Sequence, residues 1–195
     1  MKRYILIALA VVFYSTAFSQ TQTWTIDKNH SKIGFSVTHM VISSVEGNFK
    51  DYESTAETYD NGELKSVQAV IKTKSINTDN DQRDTHLRSD DFFNSDKYPE
   101  MKFVSKSIEN KGDNTYKITG DLTIRDVTKT VTLDAKLNGK VVDTWGNTRM
   151  GWYAQTTIDR FDYNLKWNAV IEAGGLVVGK DVTIKINAEY TLNKQ

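Results

Sequence analysis

The sequence predicts an all-β protein with a single domain, and three observations lead to this prediction. Apolar and polar residues alternate at period two along several stretches of the chain. Aromatic and β-branched residues, which fit a pleated and half-buried surface, are frequent in these stretches. Short segments rich in Gly, Asn and Asp separate them. Such a pattern is typical of antiparallel strands that bury one face and leave the other in water.

Four alternating runs carry most of this prediction. Their apolar positions are Ile33, Phe35 and Val37; Val67, Ala69 and Ile71; Val131, Leu133, Ala135 and Leu137; and Val182, Ile184, Ile186, Ala188, Tyr190 and Leu192. Weaker strands are predicted at residues 22–27, 46–58, 101–109, 115–125, 140–145 and 148–159. Eight or nine strands in one domain can close into a barrel or stack as a sandwich, and the residues alone leave these alternatives equally open.

Turn signals separate the predicted strands. They are Asp60-Asn61-Gly62, Lys111-Gly112-Asp113-Asn114, Asn138-Gly139 and Gly146-Asn147. The sharpest is Asn138-Gly139, because a type I′ hairpin turn needs positive φ at both central residues and these residue types adopt it readily. A hairpin is therefore predicted to turn there and to return through residues 140–145.

One stretch departs from the alternation and predicts a short helix. Residues 78–89 are polar except for Leu87, which is their single large aliphatic side chain. Thr78 or Asp79 is predicted to cap this helix at its N-terminus. Because a polar helix of this length is marginal on its own, we expect it to lie across a rim of the fold, held by its neighbours.

The N-terminus has the organisation of a secretory signal peptide. Two basic residues precede an uncharged apolar run at residues 4–13, and Ala17 and Ser19 place small residues at the cleavage-site positions. This order predicts a signal peptide at residues 1–19 and a mature domain at residues 20–195, exported to the periplasm or to the medium. The alternative is an uncleaved membrane anchor, for which the run is short of the ~20 residues that a span needs.

Composition excludes several classes of function. The chain has no cysteine, which excludes disulfides, thiolate catalysis and zinc–thiolate sites. Its formal net charge of zero provides no electrostatic reason to bind nucleic acid. Beyond the leader no apolar run is long enough to cross a bilayer, so no stable membrane span is expected after cleavage. The oligomeric state stays open, and a homodimer is one alternative.

Catalytic motifs do not occur in the sequence. There is no Gly-x-Ser-x-Gly, His-Glu-x-x-His or glycine-rich phosphate motif. His30, His39 and His86 lack the i, i+4 spacing of a helical metal site. The adjacent carboxylates of Asp90 and Asp91 point apart in an extended chain. No catalytic residue, metal site or cofactor is therefore predicted, and the protein is not expected to be an enzyme.

Two groups of residues admit both a structural and a binding interpretation. The numerous large aromatic residues fit an ordinary core, or the apolar lining of a cavity that holds a chain-like ligand. On the polar insertion, Arg83, Asp84, His86 and Arg88 can bind a head group at a barrel mouth. They also fit a solvated helix surface closed by its own ion pairs, which the residues alone favour.

Several long motifs follow one another along the chain. They cover residues 24–27, 30–35, 39, 45–49, 75–78, 83–93, 98–99, 120–129, 158–163 and 178–182. In this order they resemble the YceI-like family of exported lipid-binding proteins, over essentially the whole mature chain. The resemblance implies an extended, antiparallel, lipocalin-like β-barrel of about eight strands with a short helical insertion at one rim.

The resemblance also implies a carrier without turnover chemistry. Such a carrier would hold a long-chain apolar lipid, a polyisoprenoid or an isoprenoid quinone, in the barrel lumen for storage or transport in the cell envelope. The expected lumen residues are Phe35, Val37, Phe49, Ile71, Phe92, Phe93, Phe103, Trp152 and Ile158. The expected head-group residues at the rim are Arg83, Asp84, His86 and Arg88. The alternative is a secreted interaction or structural barrel with a filled core and no ligand.

Overall fold

The structure, a computed structural model, describes residues 21–170 and 176–194. Its strands are β1 (Thr21–Ile26), β2 (Lys32–His39), β3 (Ser43–Phe49), β4 (Tyr52–Tyr59), β5 (Leu64–Lys72), β6 (Ile76–Asn77), β7 (Glu100–Gly112), β8 (Thr115–Ile124), β9 (Val127–Val142), β10 (Thr148–Asp159) and β11 (Val178–Leu192). One α-helix, α1 (Asp81–Arg88), and two 3₁₀ turns, Thr73–Ser75 and Arg160–Tyr163, complete the described elements. The predicted signal peptide, residues 1–19, lies outside them.

The sheet closes on itself through its first and last strands. β1 pairs antiparallel with β4 on one side and with β11 on the other. The order β1-β4-β5-β7-β8-β9-β10-β11 therefore forms a closed antiparallel barrel of eight strands. This confirms the predicted all-β, lipocalin-like barrel and decides against the sandwich. Among the described residues, no helix is long and apolar enough to cross a membrane.

The remaining strands lengthen the barrel at one end. β11 pairs with β1 through residues 190–192 and with β2 through residues 178–187, so β2 continues the line of β1 along one edge of β11. β3 pairs with β2 and β6 in the same way that β4 pairs with β1 and β5. The predicted single strand 46–58 is therefore wrong, because the chain breaks at residues 50–51, where its neighbours on both sides change.

The predicted hairpin at Asn138-Gly139 is also wrong. β9 runs straight through these residues, and Gly151 of β10 lies opposite Gly139 while Trp152 lies opposite Leu137. Asn138 is left without a partner, which is a β-bulge. The actual turn lies at residues 143–147, as the Gly146-Asn147 signal predicts. The predicted turns after β4 and β7 are confirmed as well.

The polar insertion forms the predicted short helix with a different cap. Asn80, not Thr78 or Asp79, is the N-cap residue, and its side chain accepts a hydrogen bond from the backbone N–H of Arg83. Thr78 is engaged elsewhere, because its backbone N–H and its hydroxyl both donate to Asp84 Oδ1, at 2.9 and 2.6 Å. This buried pair fastens α1 to the end of β6.

Trp24 closes the end of the barrel opposite α1. Its side chain is 0% exposed, and its Nε1 donates a 3.0 Å hydrogen bond to Thr58 Oγ1. Lys140 Nζ lies over the indole ring, 4.8 Å from its centre. The indole thus has its polar atom satisfied and its faces covered, which makes it the plug of this end.

A cluster of ion pairs stands beside this plug. Arg149 Nη1 lies 2.7 Å from Asp27 Oδ2 and 2.6 Å from Glu189 Oε1, and Arg149 Nε lies 2.7 Å from Asp143 Oδ2. His30 Nδ1 lies 3.0 Å from Asp27. Hydrogen bonding to His30 and then to Arg149 lowers the pKa of Asp27 from 3.8 to about 2. The cluster joins the turn after β1 to β10 and β11.

The lowered pKa of Asp27 predicts a defined acid sensitivity. Because the folded pKa lies below the unfolded one, the stabilisation is present above pH 3.8 and is lost as the pH falls toward about 2. Asp27→Asn is expected to lower the free energy of unfolding by about 1 kcal/mol at neutral pH, after allowance for solvent screening. Urea unfolding at several pH values should show the variant and the wild type converging in acid. The exposed Asp79, changed to Asn, serves as control; a pH-independent gap for Asp27→Asn contradicts the assignment.

Candidate functional site

The inner face of the barrel lines a long cavity, and β10 shows how the sequence builds it. Every second residue of this strand points inward, so Trp152, Ala154, Thr156, Ile158 and the following Arg160 come one after another along the wall. At about 3.3 Å per residue, this row spans about 26 Å. The cavity therefore runs most of the length of the barrel.

The half of the cavity beside Trp24 is called here the inner lobe, and its cavity volume is about 130 Å³. It is lined by Ile26, Ile33, Ser54, Ala56, Leu64, Val67, Ala69, Ile71, Met101, Phe103, Ile118, Leu122, Ile124, Val131, Leu133, Ala135, Trp152, Ala154, Thr156, Ile184, Ile186, Ala188 and Tyr190. Among its polar members, Tyr190 OH lies 2.7 Å from Ser54 Oγ, whereas the buried Nε1 of Trp152 has no hydrogen-bond partner among the described residues. Burial raises the pKa of Tyr190 to about 12, so this phenol stays neutral.

The half beside α1 is called the outer lobe, and its cavity volume is about 110 Å³. It is lined by Phe35, Val37, Phe49, Leu87, Phe92, Phe93, Met101, Ile124, Ile158, Arg160, Leu165, Val178, Val182 and Ile184. Met101, Ile124 and Ile184 belong to both linings, so the two lobes adjoin at these residues. The two adjoining apolar lobes are together called here the tunnel.

All nine residues expected in the lumen lie on the wall of this tunnel. Ile71, Phe103 and Trp152 line the inner lobe. The outer lobe is lined by the other six, which are Phe35, Val37, Phe49, Phe92, Phe93 and Ile158. Their contact with a ligand stays a prediction.

Two glycines make room for aromatic rings in the wall. A Cβ atom at Gly47 would lie 2.4 Å from Phe35 Cζ, and one at Gly120 would lie 2.7 Å from Phe103 Cζ. Both distances are too short for any side chain, so glycine allows each ring to lie against the neighbouring strand. Phe35 also contacts Phe49, with ring centres 6.0 Å apart. The glycines thus help to set the width of the tunnel.

The four residues expected to bind a head group are brought together on α1, but three of them hold the chain itself. Asp84 is 2% exposed and accepts from Thr78. Arg83 donates from Nε to Thr78 Oγ1 and from Nη2 to Thr78 O, both at 2.8 Å. Arg88 donates to the carbonyls of Lys74 and Ile76, both at 2.8 Å. These contacts close the helix against the barrel rim.

His86 is placed differently, at the end of the tunnel. Its Nε2 lies 2.8 Å from Asp91 Oδ2. Its ring meets Phe92 and Trp167 edge to face, with centres 5.1 and 4.9 Å away. His86 is therefore the rim residue that stands with aromatic side chains beside the outer lobe. Its part in head-group binding, like that of Arg83, Asp84 and Arg88, stays a prediction.

Arg160 is the charged residue in the lining of the outer lobe. Its guanidinium donates to backbone carbonyls of Gly179 at 2.9 Å, Trp167 at 2.9 Å and Val178 at 3.1 Å, and also to that of Leu165. Burial lowers the pKa of Arg160 from its ordinary value. The hydrogen bonds of this side chain connect the segment after β10 to the start of β11. They also place a cation at one end of an apolar tunnel.

One group of described residues has the composition of a metal site. Asp27, His30 and Glu189 offer ligand atoms within 4.8 Å of one another. Arg149 Nη1 already lies between the two carboxylates, at 2.7 and 2.6 Å. A guanidinium in that position supplies the charge that a metal ion would bring, so the arrangement suits an ion-pair cluster.

Comparison with known proteins places this barrel in a family. The sequence model of the YceI-like domain matches residues 24–190. The chain belongs to the YceI-like family. Protein YceI of Escherichia coli O17:K52:H18 is 40% identical over 171 residues, which cover 85% of this chain and 88% of that protein.

Solved structures agree with this assignment. The crystal structure of the Campylobacter jejuni YCEI protein superimposes with a TM-score of 0.70 at 35% identity, covering 81% of this chain and 90% of that one. A polyisoprenoid binding domain from Saccharophagus degradans, implicated in plant cell wall breakdown, superimposes with a TM-score of 0.66. Its identity of 17%, over 87% of this chain and 98% of that one, shows a shared fold.

Several tunnel residues of this YceI-like barrel were absent from the sequence prediction. Most of them, such as Leu133, Ile184 and Ile186, lie in the alternating runs, so the signal was present but their inward face was not assigned. Arg160 stands two residues after Ile158, in phase with the inward row of β10. That phase could have indicated a lumen position, although the type of residue argues against one.

Proposed function

We propose that the protein binds one long-chain apolar lipid, a polyisoprenoid or an isoprenoid quinone, and stores or transports it in the cell envelope without chemical turnover. The observation that carries the proposal is the pair of adjoining apolar lobes inside the barrel. An interaction barrel with a filled core, the alternative function, would need large side chains in this space. The polyisoprenoid binding domain from Saccharophagus degradans has the same fold, which supports the choice of ligand class.

Physical chemistry sets the affinity that such a tunnel can supply. Each methylene transferred from water to an apolar wall contributes about 0.8 kcal/mol, so ten methylenes contribute about 8 kcal/mol before ordering costs. Most of this favourable free energy comes from burial of the hydrocarbon tail of the ligand. A chain-like lipid fits better than a compact one, because the two lobes follow each other along about 26 Å of strand β10.

The two ends of the tunnel suggest an orientation for the lipid. Trp24 plugs the inner end, and the inner lobe has few polar groups. Arg160 and His86 lie at the outer end. In the proposed complex the tail lies in the inner lobe and the polar head lies near these residues. Export through the predicted signal peptide would bring the carrier to the compartment where envelope lipids are exchanged.

Native mass spectrometry of the full protein, purified from cells without detergent, tests this function. We expect one lipid per chain, and solvent extraction followed by mass analysis should identify a long apolar tail. The reason is that an empty tunnel of this size leaves a large apolar wall unfilled. Only the mass of the ligand-free chain, from cells that contain such lipids, would support the filled-core alternative. Cell fractionation of the same culture tests the predicted export.

A further inference from the structure

An exposed group of apolar side chains lies at the outer end of the barrel. The turn between β2 and β3 presents Val41 at 67% and Ile42 at 86% exposure, with Met40 beside them. Val170 is 78% exposed and forms an isolated bridge with Leu176. These five residues, Met40, Val41, Ile42, Val170 and Leu176, are called here the rim patch.

Backbone contacts make the rim patch one surface. Met40 N donates a 2.9 Å hydrogen bond to the carbonyl of Val177, which is the neighbour of Leu176. His39 pairs with Val178 across β2 and β11. Val178 itself lines the outer lobe. The patch therefore begins where the wall of the tunnel ends.

The turn is strained in a way that folding does not require. Met40 has φ 50° and Val41 has φ 65°, and Ile42 N donates to His39 O across them. A β-branched residue is unfavourable in this left-handed region, whereas Asn-Gly adopts it readily. Folding alone would also place polar residues at so exposed a site. The sequence Met-Val-Ile therefore indicates a function outside the fold.

Charge and aromatic residues around the patch indicate what it contacts. The described segments 38–44, 164–170 and 176–180 contain His39, Lys166 and Lys180, and the acidic residues Asp162 and Asp181 flank them. Lys180 is paired with Asp159 and Asp181, just outside these segments. Trp167 stands at the same end, with its ring centre 5.4 Å from that of Phe92. Exposed apolar tips beside a half-buried tryptophan and a lysine are features with which proteins insert into bilayer surfaces.

We propose that the rim patch inserts into the surface of a lipid bilayer and holds the outer lobe against it. The lipid would then pass between membrane and tunnel without exposing its tail to water. This inference rests on the proposed function, because a docked mouth is useful only to a carrier. The occupant is a bilayer, and a second copy of the chain is the rival that the experiment must exclude.

Flotation with vesicles of phosphatidylethanolamine and phosphatidylglycerol in equal parts tests the proposal. The variant Met40→Asn, Val41→Gly, Ile42→Thr removes apolar surface and relieves the strained turn. We expect its partition coefficient onto vesicles to be at least about tenfold lower than that of the wild type. Its melting temperature should be unchanged or higher. The control Val141→Thr, Val142→Thr removes exposed apolar surface near the other end of the barrel and should retain partitioning.

Each other outcome overturns the docking proposal. It fails if the wild type does not float, if the rim variant floats as well as the wild type, or if the control loses flotation equally. It also fails if sedimentation shows a concentration-dependent dimer that the rim variant abolishes while no protein floats. Lipid extraction from the same preparations tests the proposed function separately. A chain that carries no lipid can still bind vesicles, and a chain that carries lipid can fail to bind them.

Discussion

Phenylalanine in place of Ala154 is expected to shorten the lipid that the protein retains. Ala154 lies in the inner lobe between Trp152 and Thr156, so an added ring would occupy tunnel space. If the ring displaces about four methylenes of the tail, the affinity for a long polyprenol falls by about 3 kcal/mol, roughly a hundredfold. Titration of delipidated protein with a polyprenol, followed by native mass spectrometry, measures this loss. Lipid extracted from the variant should have shorter tails.

The same strand provides the matched control. Gln155 is the exposed neighbour of Ala154 on the outer face of β10, and Gln155→Phe adds the same ring outside the barrel. This control should bind the polyprenol like the wild type. Equal binding by both variants would mean that the tail does not reach the inner lobe, and the proposed orientation would be wrong.

Alanine in place of Trp24 is expected to cause the largest loss of stability. The indole is fully buried, plugs the inner end and satisfies Thr58 Oγ1. Truncation of a buried tryptophan to alanine costs about 3–5 kcal/mol, because transferred surface is lost and a cavity remains. Guanidinium unfolding of lipid-free protein should show the midpoint falling with little change in slope.

Trp145 supplies a control of the same residue type. It is 78% exposed in the turn between β9 and β10, so Trp145→Ala should change the free energy of unfolding by no more than about 0.5 kcal/mol. A loss of similar size in both variants would show that Trp24 is not the plug. A small loss in both would mean that the inner end is closed by other residues.

The inward face of the barrel was predictable from alternation alone where a strand has one wet side. The positions Val182 to Tyr190 and Val131 to Ala135 alternate without interruption, and the structure turns all their apolar members into the tunnel. This alternation is visible within each strand, so neighbouring residues in the sequence suffice to predict which side chains share a face. Closure into a barrel was not local, because it depends on the pairing of β1 with β11.

The errors arose where distant partners override a local signal. Asn138-Gly139 is a strong turn dipeptide, but the β10 ladder extends past it and accommodates Asn138 as a bulge. The alternation of β10 indicates the inward position of Arg160 but not its hydrogen bonds, because the accepting carbonyls belong to Leu165, Trp167, Val178 and Gly179, in two separate segments. The cap was misplaced by two residues or fewer, because Thr78 turns toward Asp84.

The seam between β1 and β11 has a consequence for how the chain reaches its native state. Thr25 Oγ1 donates to Asn193 Oδ1 across this seam, between residues 168 apart in sequence. Contacts between residues so far apart in sequence form late in folding, because closing the long intervening loop costs chain entropy before the contacts offset that cost. A ribosome-bound chain that still lacks β11 leaves the edges of β1, β2 and β10 open to aggregation. Complete synthesis therefore precedes any lipid-competent tunnel.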